Sequence, residues 1–203
     1  ARAPAVRGAF QVENARVAVA AARTLDGHGW SIPDQAIAQG VARVQWPGRL
    51  ELIRRSPPVF LDGAHNPAAA SALARFWEEH LAGCPVHLVY GTLRDKALDE
   101  ILETLFPRAA TVIATEPSSP RAASAELVAR LGRGHNPGVR VEPDLRRALF
   151  GALEQAGRNG IVFVTGSLFL VGECRRLLLD ERAGPPSLRP VLPAPAMPSR
   201  SPA

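Results

Sequence analysis

The chain has 203 residues, of which 46% are hydrophobic, and its 24 Lys+Arg against 19 Asp+Glu give a formal net charge of +5. These totals predict a globular protein with one good-sized core plus an appendage. We expect no membrane partner, because the sequence has neither a long apolar run nor a signal-peptide pattern. We also expect no nucleic-acid partner, because the basic residues form no stripe interleaved with aromatic ones. Cys84 and Cys174 suggest no disulfide framework, so a reducing compartment, the cytoplasm, is expected.

After an irregular start over residues 1–9, two helices are predicted within the first 46 residues. Residues 10–26 are rich in alanine and lack glycine and proline, and a second helix is predicted over residues 33–44. A Trp-Pro-Gly-Arg turn at 46–49 then ends this helical part and opens a strand. Two helices are too few for a domain of their own, so residues 1–46 are expected to be the last piece of a preceding domain.

From residue 50 onward, short strands alternate with helices. After a strand at 50–54, apolar strands are predicted at 59–61, 86–90, 111–115, 139–141 and 161–165, and helices at 67–82, 96–105, 122–131, 144–156 and 168–180. This alternation predicts an α/β fold with a doubly wound, mostly parallel sheet over residues 47–183. Residues 184–203 contain seven prolines and are expected to be a disordered tail.

Residues 59–67 read VFLDGAHNP, which is typical of a buried strand, a turn and the start of a helix. Asn66 is suited to cap the helix and Pro67 to occupy its first position. Asp62 and His65 therefore lie at the carboxyl end of a strand, beside a helix N-terminus that favours anions. Asp and Asn after a strand are also ordinary turn formers, so a purely structural role stays open at this point.

Further polar residues follow the other predicted strands. They include Asp95 and Lys96 after the strand 86–90, and Ser167 after the strand 161–165. Because the carboxyl ends of parallel strands meet at one edge of a sheet, we expect a ligand site there. Lys96 is equally consistent with a surface lysine at the start of a helix.

Several specific motifs are absent. The glycines at 132, 134 and 138 follow a helix with the wrong spacing for a dinucleotide fingerprint, and no phosphate-binding loop of the Gly-x-x-x-x-Gly-Lys type occurs. Ser167 lacks the Gly-x-Ser-x-Gly pattern of a nucleophile elbow. The spacing of His80, Cys84 and His87 offers no fourth ligand, so no metal site is expected in this chain.

Five segments together resemble folylpolyglutamate synthase/dihydrofolate synthase, a branch of the Mur ligase superfamily. They are residues 8–15 (GAFQVENA), 46–49 (WPGR), 61–67 (LDGAHNP), 91–96 (GTLRDK) and 165–168 (TGSL). The segments follow that family's order with compatible spacing, and the resemblance covers residues 8 to 180. The chain departs from the family pattern at two positions: Phe10 replaces the usual histidine, and Ala97 replaces a common second acid.

This resemblance implies the C-terminal α/β domain of an ATP-dependent ligase, preceded by the last helices of its ATPase domain. The family activates a carboxylate of dihydropteroate or a folate with ATP, and the amine of L-glutamate then attacks the acyl phosphate. ATP and Mg²⁺ are therefore implied, with the phosphate loop and the metal ligands in a part of the enzyme outside this chain. The family's other partners are small molecules, and a monomer is expected. This chain alone is expected not to turn over.

The resemblance also implies roles for individual residues. Asn14 is expected to contact the ATP base, Arg49 the phosphates and Asp62 the ribose. His65, Ser167 and Lys96 are expected to act at the glutamate and the transferred phosphate. Asp95 is expected to line the same cleft and bind substrate.

Three alternatives remain at this stage. The chain could belong to a Mur ligase of cell-wall synthesis, which adds an amino acid to a nucleotide-linked muramyl substrate. It could also be a binding module for nucleotides or amino acids that does not catalyse. A serine hydrolase built from Ser167, His65 and Asp62 is the third alternative, against which the missing elbow counts.

Overall fold

The computed structural model describes residues 8–94 and 97–180, which form an α/β fold. The α-helices are α1 (Ala9–Gly27), α2 (Asp34–Arg43), α3 (Pro67–His80), α4 (Leu98–Leu105), α5 (Ala125–Gly132), α6 (Leu145–Ala156) and α7 (Leu168–Leu179), and a 3-10 helix covers Phe106–Arg108. The strands are β1 (Glu51–Arg55), β2 (Pro58–Leu61), β3 (Val86–Tyr90), β4 (Thr111–Ala114), β5 (Val139–Val141) and β6 (Ile161–Thr165). The predicted tail over 184–203 lies outside the described residues. In the part that is described, no helix is long and apolar enough to cross a bilayer.

The six strands form one sheet in the order β1-β2-β6-β3-β4-β5. All neighbours are parallel except β1, which pairs antiparallel with β2 in a hairpin at the edge. Their side chains alternate between two apolar clusters. Phe60 and Phe163 face the cluster formed with α3, α4 and α5, whereas Val59 and Val164 face the cluster formed with α6 and α7. The predicted doubly wound, mostly parallel sheet is therefore confirmed.

The order of the strands creates a switch point between β2 and β6. The connections through α3, α4 and α5 advance across the sheet, while the connection from β5 through α6 returns to β6. Because such crossovers are right-handed, this return places α6 on the opposite face. The neighbouring strands β2 and β6 are thus followed by helices on opposite faces, α3 and α7. A crevice opens at their carboxyl ends, which is the usual ligand position in such folds.

The main difference from the predicted elements is the start of α5. The sequence predicts a helix from residue 122, but Ala122 pairs with Leu93 in an isolated antiparallel bridge. Ser124 then caps the helix, its Oγ accepting a hydrogen bond from the backbone N–H of Leu127 at 3.2 Å. A contact across the fold therefore delays the helix beyond the point that local propensity favours.

The two leading helices lie outside the layers of the sheet. No residue of α2 is buried, and several large apolar side chains around the pair are exposed, among them Val17, Trp30 and Trp46. A helix with so little buried surface gains little from packing within the described residues. The assignment of residues 1–46 to a preceding domain is compatible with this arrangement and remains a prediction.

The packing of α5 against the 3-10 helix requires a glycine. The Phe106 ring is fully buried and lies over Gly132, where an added Cβ would be only 2.7 Å from Phe106 Cδ2. Gly151, within α6, offers a contrast, because a Cβ there would meet Ile113 Cδ1 at an ordinary 3.8 Å.

We therefore predict opposite effects for two Gly-to-Ala substitutions. Gly132→Ala should lower the free energy of unfolding by about 1–3 kcal/mol, because the new methyl group overpacks the Phe106 pocket. Gly151→Ala should raise it by about 0.4–1 kcal/mol, because it restricts the unfolded chain without a clash. Urea denaturation of both variants measures the two values. Equal effects of the two substitutions would contradict the packing described for Phe106.

Candidate functional site

A cavity of about 690 Å³ lies between α1, α2, the turn at 46–49 and the first two turns of α3. Its walls are mainly apolar. They are formed by Phe10, Ala15, Ala18, Val19, Ala22, Ile37, Gly40, Val41, Val44, Trp46, Ala68, Ala69 and Ala72. The polar lining comes from Gln11, Asn14, Arg49 and Asp62. An apolar cavity with a few convergent polar groups is the common form of a small-molecule site.

The structure thus brings together Asn14, Arg49 and Asp62, the three residues predicted to bind the nucleotide. They come from α1, from the turn before β1 and from the carboxyl end of β2. The Asn14 Nδ2 group donates a hydrogen bond to Gln11 Oε1 at 3.1 Å. This bond leaves the Asn14 side-chain oxygen available to accept from a ligand.

Asp62 is the most buried charged group of the cavity, with 4% of its surface exposed. Its Oδ2 accepts the backbone N–H of Leu50 and its Oδ1 that of Ala64, both at 2.9 Å. Burial raises the pKa of Asp62, and the two N–H groups, Arg49 and His65 oppose that rise. The carboxylate joins the turn before β1 to the loop after β2, so its first role is structural. Each oxygen still has capacity for a second donor.

The loops after β2, β6 and β3 are joined by backbone hydrogen bonds. Gly166 N–H donates to the Ala64 carbonyl at 3.1 Å, and Gly91 N–H to the Thr165 carbonyl at 3.2 Å. Gly166 has a φ of 110°, and a Cβ there would lie 2.6 Å from the Gly91 carbonyl oxygen. Only glycine fits this position, so the carboxyl edge of the sheet is rigidly assembled.

His65 and Ser167 lie on this edge, in the loops that follow β2 and β6. His65 Nδ1 is 2.8 Å from the Gly63 carbonyl oxygen. A carbonyl only accepts, so Nδ1 carries the hydrogen, and Nε2 is an acceptor whenever the ring is in its neutral form. Ser167 Oγ accepts from the Leu170 N–H at 3.1 Å and caps α7. Its hydroxyl hydrogen can therefore be donated to a ligand.

These bonds do not form a hydrolase triad. In the part of the chain that the structure describes, no hydrogen bond joins His65 to Ser167, and the two oxygens of Asp62 accept backbone N–H groups. In a triad the acid would bind Nδ1 of the histidine and the base would contact the serine. His65 Nδ1 instead donates to a backbone carbonyl, so the geometry does not support the serine hydrolase alternative.

Asp95 and Lys96 lie outside the described residues, so their predicted roles are not tested. Arg94, the residue before them, is held by hydrogen bonds to the segment that precedes α5. Arg94 N–H donates to the Arg121 carbonyl at 2.9 Å, and Arg94 Nε to the Ala122 carbonyl at 2.8 Å.

The apolar wall of the cavity was not predicted from the sequence. Ile37, Val41 and Val44 of the α2 region line it together with Trp46, although they stand outside the core of the sheet. The available signal was an apolar helix face with no predicted strand to cover it. Such a face alone does not show which elements lie opposite it. In the fold, α1 and α3 lie opposite this face and enclose the cavity with it.

Comparison with known proteins identifies the family of the chain. Residues 48–168 match the family model described as Mur ligase, glutamate ligase domain. A dihydrofolate synthase/folylpolyglutamate synthase of Bacillus subtilis is 31% identical over 172 residues, which are 84% of this chain and 40% of that protein. The chain thus spans well under half the length of this relative.

Two solved structures resemble the fold closely. A Mycobacterium tuberculosis folylpolyglutamate synthase complexed with ADP has a TM-score of 0.77 and 32% identity, covering 86% of this chain and 41% of that one. A bifunctional folylpolyglutamate synthase/dihydrofolate synthase from Yersinia pestis, complexed with AMPPNP and Mn ion, has a TM-score of 0.64 and 30% identity. It covers 73% of this chain and 35% of that one. From residue 48 to residue 168 the chain matches the glutamate ligase domain, and it belongs to the Mur ligase family.

Proposed function

We propose that this chain is the C-terminal part of an ATP-dependent ligase that adds L-glutamate to dihydropteroate or to (poly)glutamylated tetrahydrofolate. The observation that carries the proposal is the convergence of Asn14, Arg49 and Asp62 on one apolar cavity. His65 and Ser167 follow β2 and β6, at the same carboxyl edge of the sheet as Asp62. The names of the relatives support the folate branch, and the ADP complex of the similar M. tuberculosis enzyme supports a nucleotide in this fold.

The cavity suits a purine nucleotide in size and in chemistry. Its apolar walls, including Phe10 and Trp46, suit a planar base, and the Asn14 oxygen can accept from an exocyclic amine. The Asp62 carboxylate can accept from ribose hydroxyls. The Arg49 guanidinium can bind phosphate oxygens with two parallel hydrogen bonds.

In this proposal the chain's polar groups serve the amide-forming step. Attack by the glutamate amine on the acyl phosphate forms the C–N bond, breaks the C–O bond and releases inorganic phosphate. In the neutral form of the His65 ring, Nε2 can take the proton that the amine loses. Ser167 can donate its hydroxyl hydrogen to an oxygen of the departing phosphate or of glutamate. Lys96 and Asp95 are proposed to line the same cleft.

The described part of the chain contains no dense cluster of metal-binding side chains. No group of three or more His, Cys, Asp or Glu residues there could hold a metal ion. We therefore assign no Mg²⁺ ligand to these residues, and we propose that the ion accompanies ATP and is held by other parts of the enzyme.

The remaining organisation follows from the same proposal. Residues 1–46 would end the ATP-binding domain, residues 47–183 would form the C-terminal domain and residues 184–203 a tail. We propose a cytoplasmic monomer that uses small-molecule substrates, because the reaction consumes ATP and folates.

The activity is tested with the full-length protein that carries this chain, supplied with ATP, Mg²⁺, L-glutamate and either dihydropteroate or tetrahydrofolate. Formation of the glutamyl product with release of phosphate is the expected result. Turnover of a muramyl precursor instead would support the cell-wall alternative, and ADP binding without turnover of either substrate would support the binding module.

For the nucleotide site, we predict that Arg49→Ala raises the Kd of this chain for ADP by about tenfold or more, because a charge-assisted pair of hydrogen bonds to phosphate is lost. The measurement is an NMR titration with ADP, which is suited to weak binding. Arg55→Ala, at the other end of β1, removes the same charge from an exposed position outside the cavity lining and should leave the Kd unchanged. Equal losses in both variants would show that only net charge matters and would contradict the assignment.

For the reacting groups, we predict that Ser167→Ala lowers kcat of the full-length protein by about tenfold to a hundredfold, because a donor to the developing charge is removed. The substitution also removes a helix cap, which costs about 1 kcal/mol of stability. Ser124→Ala is the matched control, since Ser124 caps α5 in the same way. A similar fall of kcat in both variants would show that Ser167 acts only as a cap.

A further inference from the structure

The turn that presents Arg49 is held by a charged pair outside the cavity. Arg175, on α7, donates its Nε hydrogen to Glu51 at 3.0 Å from Oε1 and 3.1 Å from Oε2. Glu51 Oε2 also accepts the backbone N–H of Gly48 at 2.9 Å. The Glu51 side chain is 19% exposed, so the pair is shielded from solvent more than most surface ion pairs.

The backbone on both sides of Arg49 is in the left-handed region. Gly48 has a φ of 73° and Leu50 a φ of 44°. This conformation is unfavourable for leucine, so the surroundings must enforce it. The amide of Leu50 is bound by the Asp62 carboxylate and that of Gly48 by the Glu51 carboxylate. Arg49 is therefore placed between two amides that are each fixed by an anion.

We propose that Glu51, with Arg175, is a positioning residue that fixes the direction of Arg49 toward the nucleotide phosphates. The inference depends on the proposed function, because it assumes that Arg49 binds the nucleotide. It adds a link between two parts of the site, since Arg175 belongs to the same helix that Ser167 caps. The pair thereby sets Arg49 relative to Ser167, even though neither Glu51 nor Arg175 lines the cavity.

The sign of the change in Kd distinguishes a positioning role of Glu51 from a direct effect of its charge on the ligand. Replacing Glu51 by glutamine removes a negative charge near an anionic ligand, which by itself would favour nucleotide binding. If the Glu51 carboxylate positions Arg49, the same change weakens binding instead. The two explanations thus predict opposite signs for one substitution.

The test is a double-mutant cycle in which the Kd for ADP is measured by NMR titration of the 203-residue chain. Glu51→Gln should raise the Kd for ADP about fivefold, because a misdirected guanidinium loses part of its hydrogen bonding to phosphate. In the Arg49→Ala background the same substitution should change the Kd less than twofold, because the group that it positions is gone. The Gly48 amide should also exchange with solvent faster in Glu51→Gln.

Two variants serve as controls. Glu78→Gln breaks the exposed Arg108–Glu78 pair, whose Nε–Oε1 distance is 2.8 Å. This pair lies near the C-terminal end of α3 and does not line the cavity, so the substitution should leave the Kd unchanged. Arg175→Lys keeps the charge but loses the two-oxygen contact of Nε. If thermal unfolding shows that Glu51→Gln does not fold, Arg175→Lys replaces Glu51→Gln in the double-mutant cycle.

The outcomes separate the two proposals. An unchanged Kd in Arg49→Ala overturns the nucleotide role of Arg49, and the positioning role with it. A large effect of Arg49→Ala with no effect of Glu51→Gln overturns the positioning role alone. An effect of Glu51→Gln that persists in the Arg49→Ala background also overturns it, because Glu51 would then act independently of Arg49.

Discussion

The buried carboxylate of Asp62 is the interaction on which the candidate site depends. It accepts one backbone N–H from the loop after β2 and one from the turn before β1. A buried anion is costly unless it is hydrogen-bonded, so the two loops are held to the positions that satisfy it. The left-handed conformation of Leu50 is maintained in this way. Leu50 directly follows Arg49, so this conformation belongs to the turn from which Arg49 reaches the cavity.

The hairpin explains how an edge strand contributes to a site that forms at a switch point. The strands β2 and β6 provide the crevice, because the helices after them lie on opposite faces of the sheet. An antiparallel β1 places its first residues beside the last residues of β2, where Glu51 pairs with Leu61. The turn before β1 therefore reaches the carboxyl edge of the sheet, although β1 precedes every parallel strand in the sequence.

Local sequence patterns predicted the fold and part of the site. The strand–turn–helix pattern around Asp62 and the position of Ser167 after a strand placed both residues at one edge, because parallel strands end together. The apolar wall of the cavity and the pair of Glu51 with Arg175 were not predictable in this way. That pair joins residues 124 positions apart, and a contact of such separation has no local pattern. The left-handed φ of Leu50 likewise depends on the distant Asp62.

The fold also determines what each polar group can offer a ligand. Ser167 Oγ accepts from the backbone of α7, so its hydrogen is left for donation. His65 Nδ1 bonds to a carbonyl, so Nε2 of the neutral ring is an acceptor. Asn14 uses its amide hydrogen on Gln11, so its oxygen remains. Each side chain uses a donor or an acceptor on the backbone or on a neighbouring residue. The group that remains can therefore act toward a ligand in a defined way, as a donor in Ser167 and as an acceptor in Asn14. Helix capping by Ser167 and turn formation by His65 thus fix the orientation of these groups at the candidate site, and a structural role does not exclude the proposed binding role.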